Sequence, residues 1–138
     1  MSGCYVLLHG FTGSPASWDR VVERLPVDAR VVRPALAGHA GARALRPASF
    51  RDEVERLRAL LAAEGVQDAH LVGYSLGGRL GLHLAMAEPA RFSRATFVGA
   101  HPGLSDAAAR AERRRADARW IARLEAEGID AFVDAWAA

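Results

Sequence analysis

Residues Gly73-Tyr74-Ser75-Leu76-Gly77-Gly78 lie between an apolar run, Ala69-His70-Leu71-Val72, and a helical stretch from Leu76 to Glu88. A strand that passes straight into a helix at a serine must turn sharply. Glycines on either side let the backbone pack that closely. Such a turn lifts the serine hydroxyl to the end of a sheet. It also places the Leu76 amide at a helix start, where no intrahelical acceptor is available to it. A bare G-x-S-x-G pattern is common, and its bland reading is a glycine-rich turn with a surface serine. The flanking strand and helix favour the reactive reading. They also constrain the fold, because parallel strands need a crossover between them and a helix is the usual one.

The rest of the chain fits that constraint. Cys4-Tyr5-Val6-Leu7-Leu8 is a continuous apolar run, as in a strand buried on both faces. Ser14 to Leu25 reads as a helix with Trp18, Val21, Val22 and Leu25 on one face. Arg30 to Arg33 reads as a short strand closed by Pro34, and Ala35 to Pro47 as a loop. Ser49 opens a helix in which Phe50, Val54, Leu57 and Leu61 share a face and Gly65 ends the run. Asp52 is the expected reciprocal partner of the Ser49 cap. The helix after the serine stops at Pro89, and Arg94 to Val98 is a fourth strand. From Ser105 the chain reads as helical to Glu127, breaks at Gly128 and continues through Phe132 and Trp136. The reading is α/β, a parallel sheet flanked by helices. Residues 1–104 form its sheet part, and 105–138 a helical segment outside the alternation.

At 138 residues the length suits one domain, and the net charge of +2 gives no argument for nucleic acid. Lysine is absent, so all 18 basic residues are arginine. A coding bias explains that bluntly; arginine is also the side chain best shaped to grip carboxylates. The single cysteine, Cys4, rules out an internal disulfide and reads as a buried strand residue. No basic-then-apolar leader and no membrane-length apolar run is visible, so the expectation is a cytoplasmic protein without membrane contact. Histidines and Cys4 lack ligand spacing, so no metal is expected, and no cofactor fingerprint is present.

A second motif strengthens the first. His9-Gly10-Phe11-Thr12-Gly13 follows the first strand, where a backbone amide, that of Phe11, can join Leu76 in stabilising a developing oxyanion. His9 reads as structural, holding the loop by hydrogen bonds. Leu36-Ala37-Gly38-His39-Ala40 is a looser match to an L-P-G-H-G loop, with alanines in place of the proline and last glycine. Two histidines follow Ser75. His83, in the departing helix, reads as a packing or surface residue. His101, after the fourth strand, can border a pocket and is the alternative general base. The simpler reading is that the acid and histidine of a triad lie beyond residue 138, so that the 138-residue chain alone is inactive.

These segments resemble the α/β-hydrolase-fold synthases of menaquinone biosynthesis. The resemblance rests on HGFTGSPASWD, GYSLGGRLGLHLA, HPGL, and RAERRRADARWIARL followed by FVDAW. It implies an α/β-hydrolase fold whose N-terminal portion is represented here, with residues 105–138 starting a helical lid. It implies a carbon–oxygen lyase that eliminates pyruvate from 2-succinyl-5-enolpyruvyl-6-hydroxy-3-cyclohexene-1-carboxylate, a small polycarboxylate. Ser75 would be the base of a Ser-His-Asp triad, and the amides of Phe11 and Leu76 the oxyanion donors. Tyr74, Arg79 and His101 would bind substrate, with Arg113 and Trp136 reaching in from the lid. Two other readings stay open: a serine esterase of the same fold, and a non-catalytic anion-binding remnant.

Overall fold

The computed structural model describes residues 3–138. Strands β1 (Cys4–Leu8), β2 (Arg30–Val32), β3 (Ala69–Tyr74) and β4 (Phe92–Val98) form one sheet in the order β2-β1-β3-β4. All three pairings are parallel, with Leu8 opposite Gly73. The helices are α1 (Asp19–Val22), α2 (Phe50–Ala63), α3 (Leu76–Ala87) and α4 (Ala107–Ala137). Side chains on a strand alternate between faces. Val6, Leu8, Ala69 and Leu71 accordingly join Val54, Leu57 and Leu61 of α2 and Leu80 and Leu84 of α3 in one buried cluster. Truncating any of these leucines to alanine would cost about 2–5 kcal/mol.

Local chemistry sets the ends of α2. The Ser49 hydroxyl oxygen accepts the Asp52 amide at 3.2 Å. The reciprocal bond differs from expectation: the Ser49 hydroxyl donates to the Asp52 carboxylate at 3.0 Å, so both bonds use the side chain. At the other end Gly65 takes φ +62. The Gly65 amide then reaches the Ala62 carbonyl and the Val66 amide the Leu61 carbonyl, closing the last turn.

Other expectations need correction. In place of a Ser14–Leu25 helix there is a 3-10 turn, Pro15–Trp18, followed by the single turn α1. Pro26 explains the early stop, since it disfavours helical geometry at Leu25. Strand β3 runs on to Tyr74, so the strand reaches Ser75 itself. Cys4 is only half-buried, and burial pushes its thiol up from the ordinary range.

The chain divides into two compact units, one ending at Pro102 and one spanning Gly103–Ala138. The second is α4. Its Asp106 cap accepts the Ala109 amide at 2.6 Å. The helix breaks at Gly128, where φ is +83 and ψ 177, a conformation essentially reserved for glycine. Across the break Trp120 meets Phe132 at 5.5 Å and Trp136 at 5.1 Å, edge to face, while Phe132 and Trp136 stack. Gly128→Ala should therefore cost about 1–3 kcal/mol. It should also weaken the near-ultraviolet circular dichroism of the tryptophans, because a straight helix separates these rings. Unchanged tryptophan signal and stability would refute the need for glycine there.

Candidate active site

Ser75 sits at φ +50 and ψ −112, outside the regions where a non-glycine residue rests. Its amide donates to the Val98 carbonyl at 2.9 Å, and its carbonyl accepts the Arg79 amide at 3.0 Å. Strand β4 thus holds the turn from one side and α3 from the other, sustaining about 1–3 kcal/mol of backbone strain. The first turn of α3 is pressed against the end of β1. A Cβ on Gly77 would stand 2.5 Å from the His9 carbonyl oxygen and closer still to that of Leu8. The loop after β1 therefore leaves the sheet beside the N-terminus of α3. Tyr74 marks the same convergence: a Cβ on Gly10 would lie 2.8 Å from its ring.

Residues Gly10–Gly13 close a tight turn, the Gly13 amide donating to the Gly10 carbonyl at 3.1 Å. Two imidazoles fasten this turn to the loop after β2. Buried His9 has Nδ1 at 2.8 Å from the Gly10 carbonyl, while its Nε2 accepts the Leu36 amide at 3.1 Å. His39 has Nδ1 at 3.0 Å from the Ala37 carbonyl, and its Nε2 accepts the Thr12 amide at 3.3 Å. A nitrogen facing a carbonyl must carry the proton, and one facing an amide must be bare. Both rings therefore bond as the Nδ1–H tautomer. They meet edge to face at 5.2 Å, and Phe11 packs on His39 at 5.8 Å. His9 is structural, as its position in the motif indicated.

Burial lowers the His9 pKa, opposed by its bond to the Gly10 carbonyl and helped by the nearby His39. The neutral form is thus favoured by folding. Its contribution to stability is complete above the unfolded value of about 6.5 and lost as pH falls through the lower folded value. Melting temperatures measured from pH 7.5 down to 5 should fall more steeply for the wild type than for His9→Gln. Parallel curves would show that His9 does not titrate with folding.

The loop after β2 is anchored in turn to α2. Glu53, 6% exposed, accepts the Ala37 amide at 2.9 Å. It also takes a two-pronged bond from Arg56, both distances 2.7 Å. Arg56 donates on to the Ala35 carbonyl at 2.9 Å, and its hydrogen bond to Glu53 raises its already high pKa. Sequence reading passed over this pair. The available signal was a carboxylate at Glu53, midway between Phe50 and Leu57 on the apolar face of α2. Leu36, Ala37, Pro47, Phe50, Leu76 and Leu80, with Ser49 and Glu53, line an open cleft of about 380 Å³. The Arg79 guanidinium lies over the Phe50 ring at 5.4 Å, and His83 meets the same ring at 5.1 Å.

Of the residues singled out from sequence, Phe11, Tyr74, Ser75 and Leu76 belong to the converging segments described above. Arg79 is carried by the same helix onto Phe50, a residue lining the cleft that Leu76 also lines. His101 is exposed in the segment after β4. Arg113 and Trp136 belong to the second unit. There Arg113 pairs with Asp117 at 2.8 Å, and Trp136 stacks on Phe132. Among the described residues no group of three His, Cys, Asp or Glu is placed to hold a metal ion. None of their helices is long and apolar enough to cross a membrane.

The parallel sheet and the strained serine between β3 and α3 are those of an α/β hydrolase. The family description "alpha/beta hydrolase fold" matches residues 6–126, and the chain belongs to that family. Within it, the chain is similar to 2-succinyl-6-hydroxy-2,4-cyclohexadiene-1-carboxylate synthase of Escherichia coli K12. The two are 38% identical over 137 residues, which cover 95% of this chain and 52% of the relative. The structure of MenH from S. aureus superposes with a TM-score of 0.87 at 26% identity, covering 97% of this chain and 51% of that one. A hydrolase from Pseudomonas aeruginosa superposes with a TM-score of 0.75 at 29% identity, covering 91% and 46%. The chain spans about half the length of the curated relatives it matches.

Proposed function

We propose that this chain belongs to a lyase that eliminates pyruvate from 2-succinyl-5-enolpyruvyl-6-hydroxy-3-cyclohexene-1-carboxylate, giving 2-succinyl-6-hydroxy-2,4-cyclohexadiene-1-carboxylate. The observation that carries the reading is the close approach of Gly77 to the Leu8 and His9 carbonyls. The loop after β1 thus leaves the sheet beside the N-terminus of α3, which supports pairing the Phe11 and Leu76 amides as donors near the serine. Similarity to the E. coli synthase over 95% of the chain supports this substrate over a simple ester.

In the proposed reaction Ser75 takes a proton from the carbon next to the succinyl ketone. The electrons form an enolate, shift through the ring and expel the enolpyruvyl oxygen, which leaves as pyruvate. Negative charge grows on the ketone oxygen, and the Phe11 and Leu76 amides stabilise it there. A serine hydroxyl is a weak base, so a histidine oriented by an aspartate must accept its proton. In this proposal that pair is not among the 138 residues. In this proposal Tyr74, Arg79 and His101 hold the substrate at the serine. Arginine suits a ligand with three carboxylates.

Protein expressed from its whole gene, given the enolpyruvyl substrate, is expected to release pyruvate, and Ser75→Ala to stop it. Fast cleavage of activated esters with no pyruvate would instead establish a hydrolase, the activity named for the P. aeruginosa neighbour. Ligand binding with neither reaction would leave an anion-binding protein. Turnover by the 138-residue chain alone would move the general base to His101.

A further inference from the structure

The loop after β2 has an unusual density of partners. From the Ala35 carbonyl to the Ala37 carbonyl, five backbone groups in turn are hydrogen-bonded. The Ala35 carbonyl takes Arg56, the Leu36 amide goes to His9, and the Leu36 carbonyl takes the His39 amide at 3.0 Å. The Ala37 amide goes to Glu53 and the Ala37 carbonyl takes the His39 ring. Two of these partners are the imidazoles whose other nitrogens bind Gly10 and Thr12, on either side of Phe11. The other two come from α2, which is fixed by its Ser49 cap and by Val54, Leu57 and Leu61 in the core.

A buried ion pair is a poor device for stability alone. Replacing one by apolar groups of similar volume is often neutral or favourable. What the Glu53–Arg56 pair provides here is position. It directs one acceptor and one donor at neighbouring groups of a glycine-containing loop, from a helix that cannot shift. The first turn of α2 also suits a carboxylate, since the helix N-terminus is its positive end.

We infer that Glu53, oriented by Arg56, is a positioning residue for the oxyanion donor of Phe11. It acts through the Ala37 segment and the His9 and His39 bridges. The inference rests on the proposed role of the Phe11 amide, but its structural half can be read without any reaction. Glu53→Ala frees the Ala37 amide and removes the partner that orients Arg56 on the Ala35 carbonyl, loosening the Ala37 carbonyl that holds the His39 ring, whose Nε2 accepts the Thr12 amide.

The test uses protein expressed from its whole gene. Amide hydrogen exchange of Glu53→Ala should be about tenfold or more faster at Thr12, Leu36 and Ala37, with Val6 and Leu71 unchanged. In the pyruvate assay kcat should fall by about 10- to 100-fold, as expected when a catalytic group is displaced by about 1 Å, with KM within about threefold. Glu53→Gln keeps an oxygen for the Ala37 amide and should restore most of both readouts. Unchanged Thr12 exchange in Glu53→Ala overturns the inference. So does equal acceleration at Val6 and Leu71, which would mean general loosening. If Glu53→Ala does not fold, Arg56→Gln removes the group that orients Glu53 and holds the Ala35 carbonyl, and unchanged Thr12 exchange there overturns it as well. A wild type that releases no pyruvate refutes the reaction and leaves the exchange result to decide the positioning.

Discussion

Ser75→Ala is expected to lower kcat/KM for pyruvate release by at least about a thousandfold, or about 4 kcal/mol of transition-state stabilisation. Ser75 sits in the β3–α3 turn at the end of the sheet, and alanine removes its hydroxyl with the turn unchanged. What remains is binding and the two backbone donors, which alone give modest catalysis. The backbone at φ +50 and ψ −112 adds a second, opposite expectation. Ser75→Gly should be as inactive as Ser75→Ala yet more stable by about 1 kcal/mol, because glycine occupies that region without steric cost. Stability in urea and pyruvate release measured on both variants separate the two effects. A Ser75→Ala protein within tenfold of the wild-type rate would remove the serine from the mechanism. Equal stability of the two variants would show that the turn is unstrained.

The architecture was readable because its signals are local and redundant. Apolar runs at Cys4–Leu8 and Ala69–Val72, the cap at Ser49, the stop at Gly65 and the break at Gly128 each follow from a few neighbouring residues. Short elements were harder. Val21, Val22 and Leu25 have helical spacing, yet Pro26 ends the run after one turn, so pattern without room misleads. Of the candidate site, the serine turn was legible in the same way: Ser75, Leu76 and Phe11 sit in motifs whose backbone course the neighbouring glycines announce. Glu53 and Arg56 are not in any motif. Their contacts are with the Ala35–Ala37 segment, which ends 16 residues before Glu53 and offers no pattern of its own. Ala37 also departs from the proline of the related loop. That departure supplies the amide that Glu53 accepts, so the mismatch marked a working part of the structure.

Gly77→Ala should be among the most damaging single substitutions in the first unit, although it adds one methyl group and improves helix propensity. The added carbon would meet the carbonyl oxygens of Leu8 and His9, and neither can move easily. Leu8 pairs with Gly73 in the sheet, and the residues after it are tied down by the His9 bridges. Nor can α3 retreat freely, since Leu80 and Leu84 are locked in the core and the Ser75 amide is bound to Val98. Relief requires shifting a helix against a sheet, at a cost of about 3 kcal/mol or more. Gly41→Ala is the control. Gly41 has nothing within 4 Å of its added carbon, and the substitution should stay within about 0.5 kcal/mol of wild type. Urea midpoints of the two variants decide the matter, and a Gly77→Ala midpoint equal to that of the wild type would refute the packing argument. If the variant folds by sliding α3 outward, the Leu76 amide moves away from the loop that carries Phe11. Pyruvate release should then fall further than the loss of folded protein explains, since the two donors no longer face one oxygen. The contact that excludes a methyl group at Gly77 is thus, in the proposed mechanism, the one that would set the spacing of the two amide donors.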